Sequence, residues 1–353
     1  MAIKKISIDE LLRDFASVPV FDVRSPGEYS HAHIPGSVNL PLFTDEERKK
    51  VGTLYKQEGK QRAIKEGLDY FGPKMREMVE EVEALIKRSN EYATSGEKHL
   101  VVHCWRGGMR SAAVAWLLDM YGFNVHVLSG GYKAFRNRVL SLFKKDYNCT
   151  ILGGFTGSGK TAILHELRRR GKQVVDLEGL ANHKGSAFGG IGQPAQPSQE
   201  MFENLLGMDL YIKEQQHFYL EDESQRIGVL HIPHTFWKMM RSKPICFVDV
   251  DFNYRLQNIL HEYGHFEKDK LLTSIERIQK RLGPLETKNA IAHIHKDEIE
   301  ACFSILLYYY DKVYNKALQN RENLVGLLNK IPCFNVDTKA NTDKLLLCNS
   351  VTP

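Results

Sequence analysis

The chain has 353 residues, 42% of them apolar and 26% charged, with a net charge of +5. This is the composition of a soluble globular protein, long enough for two domains, and no run approaches membrane-spanning length. The mild positive charge is compatible with nucleic acid without demanding it. Cys104, Cys149, Cys246, Cys302, Cys333 and Cys348 are scattered with no C-x-x-C spacing. That argues against structural zinc and a disulfide framework and fits a reducing cytoplasm.

The N-terminus, Met1 to Ser7, lacks the apolar core of a signal peptide. Residues Ile8 to Leu12 read as a short capped helix, followed by a strand from Val18 to Val23. Next come Phe21-Asp22-Val23-Arg24-Ser25-Pro26-Gly27-Glu28-Tyr29 and His33-Ile34-Pro35-Gly36-Ser37-Val38-Asn39-Leu40-Pro41. Asp22 and Arg24 suit a structural ion pair. Residues 51–68 predict a loop and then a helix, with Lys56, Lys60, Arg62 and Lys65 as a basic group. From Met75 to Asn90, Met78, Val79, Val82, Leu85 and Ile86 recur at helical spacing, which predicts a core-facing helix.

The apolar run Leu100-Val101-Val102 ends at Cys104, and Trp105-Arg106-Gly107-Gly108-Met109-Arg110-Ser111 follows. An apolar run that tips into glycines reads as a buried strand delivering a loop. Helix formers after Ser111 place Cys104 near a helix N-terminus, where converging N–H groups lower a thiol's pKa. The loop N–H groups of Gly107, Gly108 and Met109 would then hold an anion, with Arg106 and Arg110 adding positive charge. Val125 to Leu128, with Gly130 and Gly131 after it, reads as a last strand and a glycine pair. Arg136 to Asn148 reads as a charged connector.

A second domain opens with the strand Cys149 to Gly153. The turn Gly154-Phe155-Thr156-Gly157-Ser158-Gly159-Lys160-Thr161 matches G-x-x-x-x-G-K-[ST] in full. In a strand–turn–helix setting this is a phosphate-binding loop: backbone N–H groups wrap the phosphate, Lys160 reaches its outer oxygens, and Thr161 can hold Mg²⁺. Val174 to Glu178, Tyr219 to Ser224 and Ile245 to Asp249 read as further strands, and Asp222 is the preferred acidic partner for Mg²⁺. Thr273 to Gly283 is similar to the arginine-bearing lid helix of P-loop kinases. His293 and His295 with Cys302 lack a metal-site geometry, and Tyr308, Tyr309, Tyr310 and Tyr314 read as helix packing. Alternating strands and helices predict a parallel α/β sheet.

Residues 21–41 and the last strand with its glycine pair resemble rhodanese-like domains. The five residues between Cys104 and Arg110 resemble the anion loop of cysteine phosphatases, one residue longer than in most sulfur-transferring rhodaneses. That implies room for a tetrahedral, phosphate-sized anion. The expected fold is α/β: an N-terminal rhodanese-like domain at residues 1–140, then a P-loop NTPase-like parallel α/β domain at 141–353. This pairing, with Tyr55-Lys56-Gln57-Glu58-Gly59 and the Cys104 to Ser111 loop, resembles the bacterial tRNA 2-selenouridine synthase family. The resemblance implies a cytoplasmic transferase that replaces sulfur by selenium at C2 of wobble 2-thiouridine in tRNAs for Lys, Glu and Gln. It implies selenophosphate as donor, a partner enzyme that supplies it, and S-geranylation from geranyl diphosphate. On this reading Cys104 takes selenium as a perselenide or otherwise assists its delivery. The Walker A loop would hold geranyl diphosphate or, as second choice, a nucleotide such as ATP or GTP. Two other readings stay open: a cysteine phosphatase or arsenate-reductase-like enzyme, and a nucleotide-switched binding module.

Overall fold

The structure, a computed structural model, describes residues 3–15, 17–88 and 99–349 and divides into two units between Leu142 and Phe143. In the first unit, β1 (Lys4–Ile6) leads into α1 (Ile8–Asp14), where Ser7 and Glu10 form a reciprocal capping box. Then follow β2 (Val20–Asp22), α2 (Pro26–His31), β3 (Val38–Asn39), α3 (Asp45–Gln57) and α4 (Lys60–Arg88). The unit closes with β4 (His99–His103), α5 (Met109–Tyr121), β5 (Asn124–Leu128) and α6 (Gly131–Leu142). Its sheet has the order β1-β5-β4-β2-β3, with every pair parallel. Buried on both faces, β4 reads as a continuous apolar run, as parallel strands do.

Two expectations for this unit need correction. Residues 51–57 are helical, not loop, because Thr44 and Glu47 cap a helix that runs through them, and the turn is confined to Glu58 and Gly59. Residues 136–142 are the last helix of the unit, not a connector, since Phe135, Val139 and Leu142 are buried along one side. The core-facing reading of α4 holds for Met78, Val79 and Val82, which pack with Val114, Leu117 and Leu118 of α5. Each such burial stabilises by roughly 1.5–3 kcal/mol. The expected end of that helix at Asn90 lies outside the described residues.

The second unit runs β6 (Cys149–Gly153), α7 (Lys160–Arg169), β7 (Gln173–Val175), α8 (Leu177–Ala181), α9 (Gln199–Ile212) and β8 (Phe218–Glu221). A short antiparallel pair, β9 (Arg226–Ile227) and β10 (Leu230–His231), precedes α10 (His234–Arg241) and β11 (Ile245–Val250). After these come α11 (Phe252–Tyr263), α12 (Lys268–Leu282), α13 (Pro284–His295), α14 (Ile299–Gln319), α15 (Leu324–Leu327), β12 (Leu328–Cys333) and α16 (Thr338–Asn349). The five-stranded sheet has the order β12-β11-β6-β8-β7, parallel throughout. The P-loop strand β6 is therefore central, and the loop after it lies at the carboxyl ends of the strands, where open α/β sheets bind ligands.

The second expected strand stops at Val175. Asp176 turns the chain, accepting from the Gly179 N–H at 2.8 Å, so Leu177 and Glu178 belong to α8. The third stops at Glu221, and β12 carries no clear signal because Lys330 and Asn329 interrupt its apolar pattern. In α12, Leu271, Ile275, Ile278 and Leu282 are buried while Arg277 and Arg281 are exposed. His293 pairs with Glu298 at 2.6 Å and Cys302 is fully buried.

Candidate functional site

In the first unit, β4 delivers Cys104 to the floor of a loop that re-enters helix at Met109, three residues before the helix formers that follow Ser111. Cys104 is 3% exposed. Its Sγ lies 3.3 Å from Ser111 Oγ, and the Gly108 N–H donates to it at 3.3 Å. Burial alone would push this thiol up. The Ser111 hydroxyl and the backbone N–H groups of Ser111, Arg106 and Gly108 outweigh that and bring it below the ordinary thiol range. Burial pushes Cys149 and Cys302 up to about 12, so those thiols are inert packing.

The loop keeps its shape through a second glycine turn. Gly107 (φ +64°) and Gly131 (φ +56°) both sit in the left-handed region. A Cβ on Gly131 would stand 2.2 Å from the Cys104 carbonyl oxygen and 2.6 Å from the Gly107 nitrogen. A Cβ on Gly107 would meet the Leu128 carbonyl at 2.5 Å. Only glycine permits so close an approach. The N–H groups of Tyr132 and Lys133 complete the seam by donating to the carbonyls of Cys104 and Trp105 at 2.9 and 3.0 Å.

Around the loop, Asp22 and Arg24 form the expected ion pair, buried and 2.5 Å apart, with the Arg24 guanidinium 3.9 Å above the Tyr132 ring. Arg106 is exposed, beside the loop mouth in sequence. Arg110 instead donates to Glu28 Oε2 at 2.8 Å, and Arg48 approaches the same oxygen at 3.5 Å. Burial raises the Glu28 carboxyl, but these arginines hold it below the usual range, so it stays charged. Arg110 is therefore already engaged by a charged Glu28.

In the second unit, Gly154 (φ +149°), Gly157 (φ +82°) and Gly159 (φ +79°) shape the phosphate loop before α7. A Cβ on Gly157 would meet the Arg255 carbonyl at 2.7 Å, so α11 presses against the loop from outside. Arg255 donates to Thr156 O at 3.0 Å and forks onto Asp311 at 2.9 and 2.8 Å. Asn258 donates to Gly157 O at 3.2 Å, while Ser158 is buried and Lys160 Nζ folds back to Gly154 O at 2.7 Å.

The acidic neighbour of Thr161 differs from the expected one. Thr161 Oγ1 donates to Glu178 Oε2 at 3.0 Å. Asp222 is engaged elsewhere: Arg321 donates to it, as does Tyr314 OH at 2.7 Å, and the same tyrosine oxygen accepts from Gly154 N–H at 3.3 Å. The carboxylate that would serve an Mg²⁺ on Thr161 is thus Glu178, with Glu223 beside it: an added Gly185 Cβ would lie 2.9 Å from Glu223 and 3.0 Å from Glu178. Burial raises the pKa of Glu178, Glu223 and Glu221, the last to about 8; the charge of Asp176 adds to it at Glu178, that of Glu178 and Glu221 at Glu223, and that of Glu178 and Asp176 at Glu221. A divalent cation would relieve that repulsion by neutralising these carboxylates.

Residues 7–138 match the family model of the rhodanese-like domain, and residues 147–331 match that of the tRNA 2-selenouridine synthase AAA domain. A Nitrosomonas europaea protein named tRNA 2-selenouridine synthase is 32% identical, across 96% of this chain and 98% of its own length. The chain belongs to the tRNA 2-selenouridine synthase family. Relatives of the same name from Pseudomonas putida W619 (34% identical, 84% of this chain, 88% of theirs) and Bdellovibrio bacteriovorus (33%, 91% and 94%) agree. The N-terminal domain of a Clostridium difficile 630 protein named for ATP/GTP binding is similar too, at 39% identity over 39% of this chain and 99% of that one, with a TM-score of 0.35.

Family membership accounts for the α/β fold of both halves, rhodanese-like and then P-loop. Several contacts around the two loops had no signal in the sequence. Tyr314, read there as helix packing, touches the phosphate loop, and Arg255 buttresses it from 99 residues away. Both act through chain reversals that a linear pattern does not record. The sequence reads Glu178 as the end of a strand; the turn at Asp176 instead carries it to Thr161.

Proposed function

We propose that this protein is a transferase that replaces sulfur by selenium at C2 of wobble 2-thiouridine in tRNA, taking selenium from selenophosphate. The observation that carries this reading is the lowered, hydrogen-bonded Cys104 thiol in an anion-sized loop, in a chain whose relatives bear the synthase name. In this assignment Gly107, Gly108 and Met109 offer backbone N–H groups to the donor anion, and Arg106 and Arg110 balance its charge. Selenium in selenophosphate already stands at the selenide level, so exchange needs no net oxidation: a bond from selenium to C2 forms, the C2–S bond breaks with sulfur leaving as a thiol, and the P–Se bond breaks as water takes the phosphoryl group to give phosphate. Storing selenium on Cys104 as a perselenide would require a two-electron oxidant. Cys104 therefore assists delivery from the bound donor.

The phosphate loop, Gly154 to Thr161, is assigned to geranyl diphosphate, through Gly154, Thr156, Gly157, Ser158, Gly159, Lys160 and Thr161. In S-geranylation the base sulfur bonds to C1 of the geranyl group, diphosphate leaves, and the base loses its N3 proton. The product's geranylthiol is then the group displaced by selenium. ATP or GTP is the second choice for this loop, with Mg²⁺ on Thr161. The selenation residues fall in segment 1–140 and the geranylation residues in 141–353. Lys56, Lys60 and Lys65 are exposed on α3 and α4 and available to the phosphates of tRNAs for Lys, Glu and Gln. The setting is the cytoplasm, alongside an enzyme that makes selenophosphate; among the described residues no helix is long and apolar enough to cross a membrane.

Nucleoside mass spectrometry on 2-thiouridine tRNA, with selenophosphate and geranyl diphosphate supplied separately and together, tests this directly. Sulfur-to-selenium exchange that disappears in C104S while tRNA binding persists is expected. No mass change with folded wild-type protein would overturn the reading. Turnover of an aryl phosphate would then point to the phosphatase alternative, and ATP binding without RNA modification to the switch.

A further inference from the structure

A base whose C2 reacts must leave its stack in the anticodon loop, and something must take over the stacking it loses. This inference rests on the reading that such a base is the substrate. Cys104 is 3% exposed at the loop floor, whereas Trp105 beside it is 38% exposed and Met109, across the loop, is 50% exposed. A small hydrated anion has no use for an apolar rim; a pyrimidine face does.

The indole of Trp105 is held rigidly from beneath. Its ring centroid lies 5.6 Å from that of Tyr132, which is fully buried and carries the Arg24 guanidinium 3.9 Å over its ring. Arg24 is in turn fixed by Asp22 and by the Ala32 carbonyl at 2.8 Å. The Lys133 N–H donates to Trp105 O at 3.0 Å, pinning the backbone. The indole thus packs, tilted by 38°, against the phenol, with the Arg24 guanidinium beside both rings at 3.9 Å from Tyr132 and 6.0 Å from Trp105, and its other face opens to solvent one residue from the thiol. We propose that Trp105 is the platform on which the unstacked target pyrimidine of single-stranded RNA lies while its C2 is presented to the Cys104 loop. It is a positioning residue, and its partner is a base.

The chain has three tryptophans, so W116F/W237F leaves Trp105 as the only one. Titrating this protein with an anticodon stem-loop containing 2-thiouridine should quench its fluorescence. W105L, which keeps apolar bulk without a ring, should weaken RNA binding and raise KM by about 5- to 150-fold, the range of one base–aromatic stack. W105F should recover most of that loss, and iodoacetamide should alkylate Cys104 at the same rate in all three proteins. Absent quenching, RNA affinity unchanged in W105L, or a loss in W105F equal to that in W105L would overturn the platform. The quenching experiment decides even if W105L fails to fold. Wild-type protein that exchanges no selenium would sink the functional reading beneath it; active wild-type protein without quenching would sink the platform alone.

Discussion

Cys104 and Cys302 are both almost fully buried, yet their thiols move in opposite directions. The difference is the donors: Cys104 sits where Ser111 and three N–H groups converge, and Cys302 sits in an apolar core. Because the folded pKa of Cys104 lies below its unfolded value, the thiolate's contribution to stability is present above the ordinary thiol pKa and is lost as pH falls through the folded one. S111A removes the side-chain donor and should shift the pH profile of iodoacetamide alkylation upward, with slower reaction at neutral pH. An unmoved profile would remove Ser111 from the account. Glu221 runs the other way. Its carboxyl is raised from 4.5 to about 8, so the folded state holds a proton that the unfolded chain releases, and stability falls as pH rises across that window. E221Q mimics the protonated acid and should flatten the decline in melting temperature between about pH 5 and pH 8. A slope equal to that of wild type would show that Glu221 does not carry it.

At the level of elements, the nucleophile loop depends on a turn that follows a different strand. Gly131 begins α6 just after β5, yet its missing Cβ is what lets that turn touch the carbonyl of Cys104. In G131A the left-handed backbone alone costs about 1–2 kcal/mol, and the clash must move the loop. A displacement near 1 Å at a reacting centre lowers rate by about 100-fold, so kcat/KM for selenation should fall by that order while the melting of the second unit is unchanged. Wild-type kinetics in G131A would mean that the seam between the two turns is dispensable. In the second unit α11 plays the corresponding part, with Arg255 and Asn258 both donating to phosphate-loop carbonyls.

For the whole molecule, the proposed function puts selenation in the first unit and geranylation in the second, so single substitutions should separate them. K160A should lose diphosphate binding and geranylation, while C104S should retain both and lose selenation. Supplying tRNA already S-geranylated to K160A should restore exchange; failure to do so would show that the phosphate loop also serves the selenium step.

The anion loop and the phosphate loop are legible in the sequence because each is a short contiguous run whose glycines and charges stand at fixed offsets along the backbone. Strand β4 and the core face of α4 are legible for a related reason, since apolar spacing is local. The charged run 136–142 misled because three buried residues, Phe135, Val139 and Leu142, decide its face and its charges only mark the other side. Partners set by tertiary folding were out of reach: Glu28 on Arg110 across 82 residues, Glu178 rather than Asp222 on Thr161, and Tyr314 on Gly154 across 160. Sequence alone determined where the two glycine turns stand after their strands, because turn residues act through the contiguous backbone they shape. The tertiary structure decided which side chains face them, because side-chain direction depends on how distant strands and helices pack.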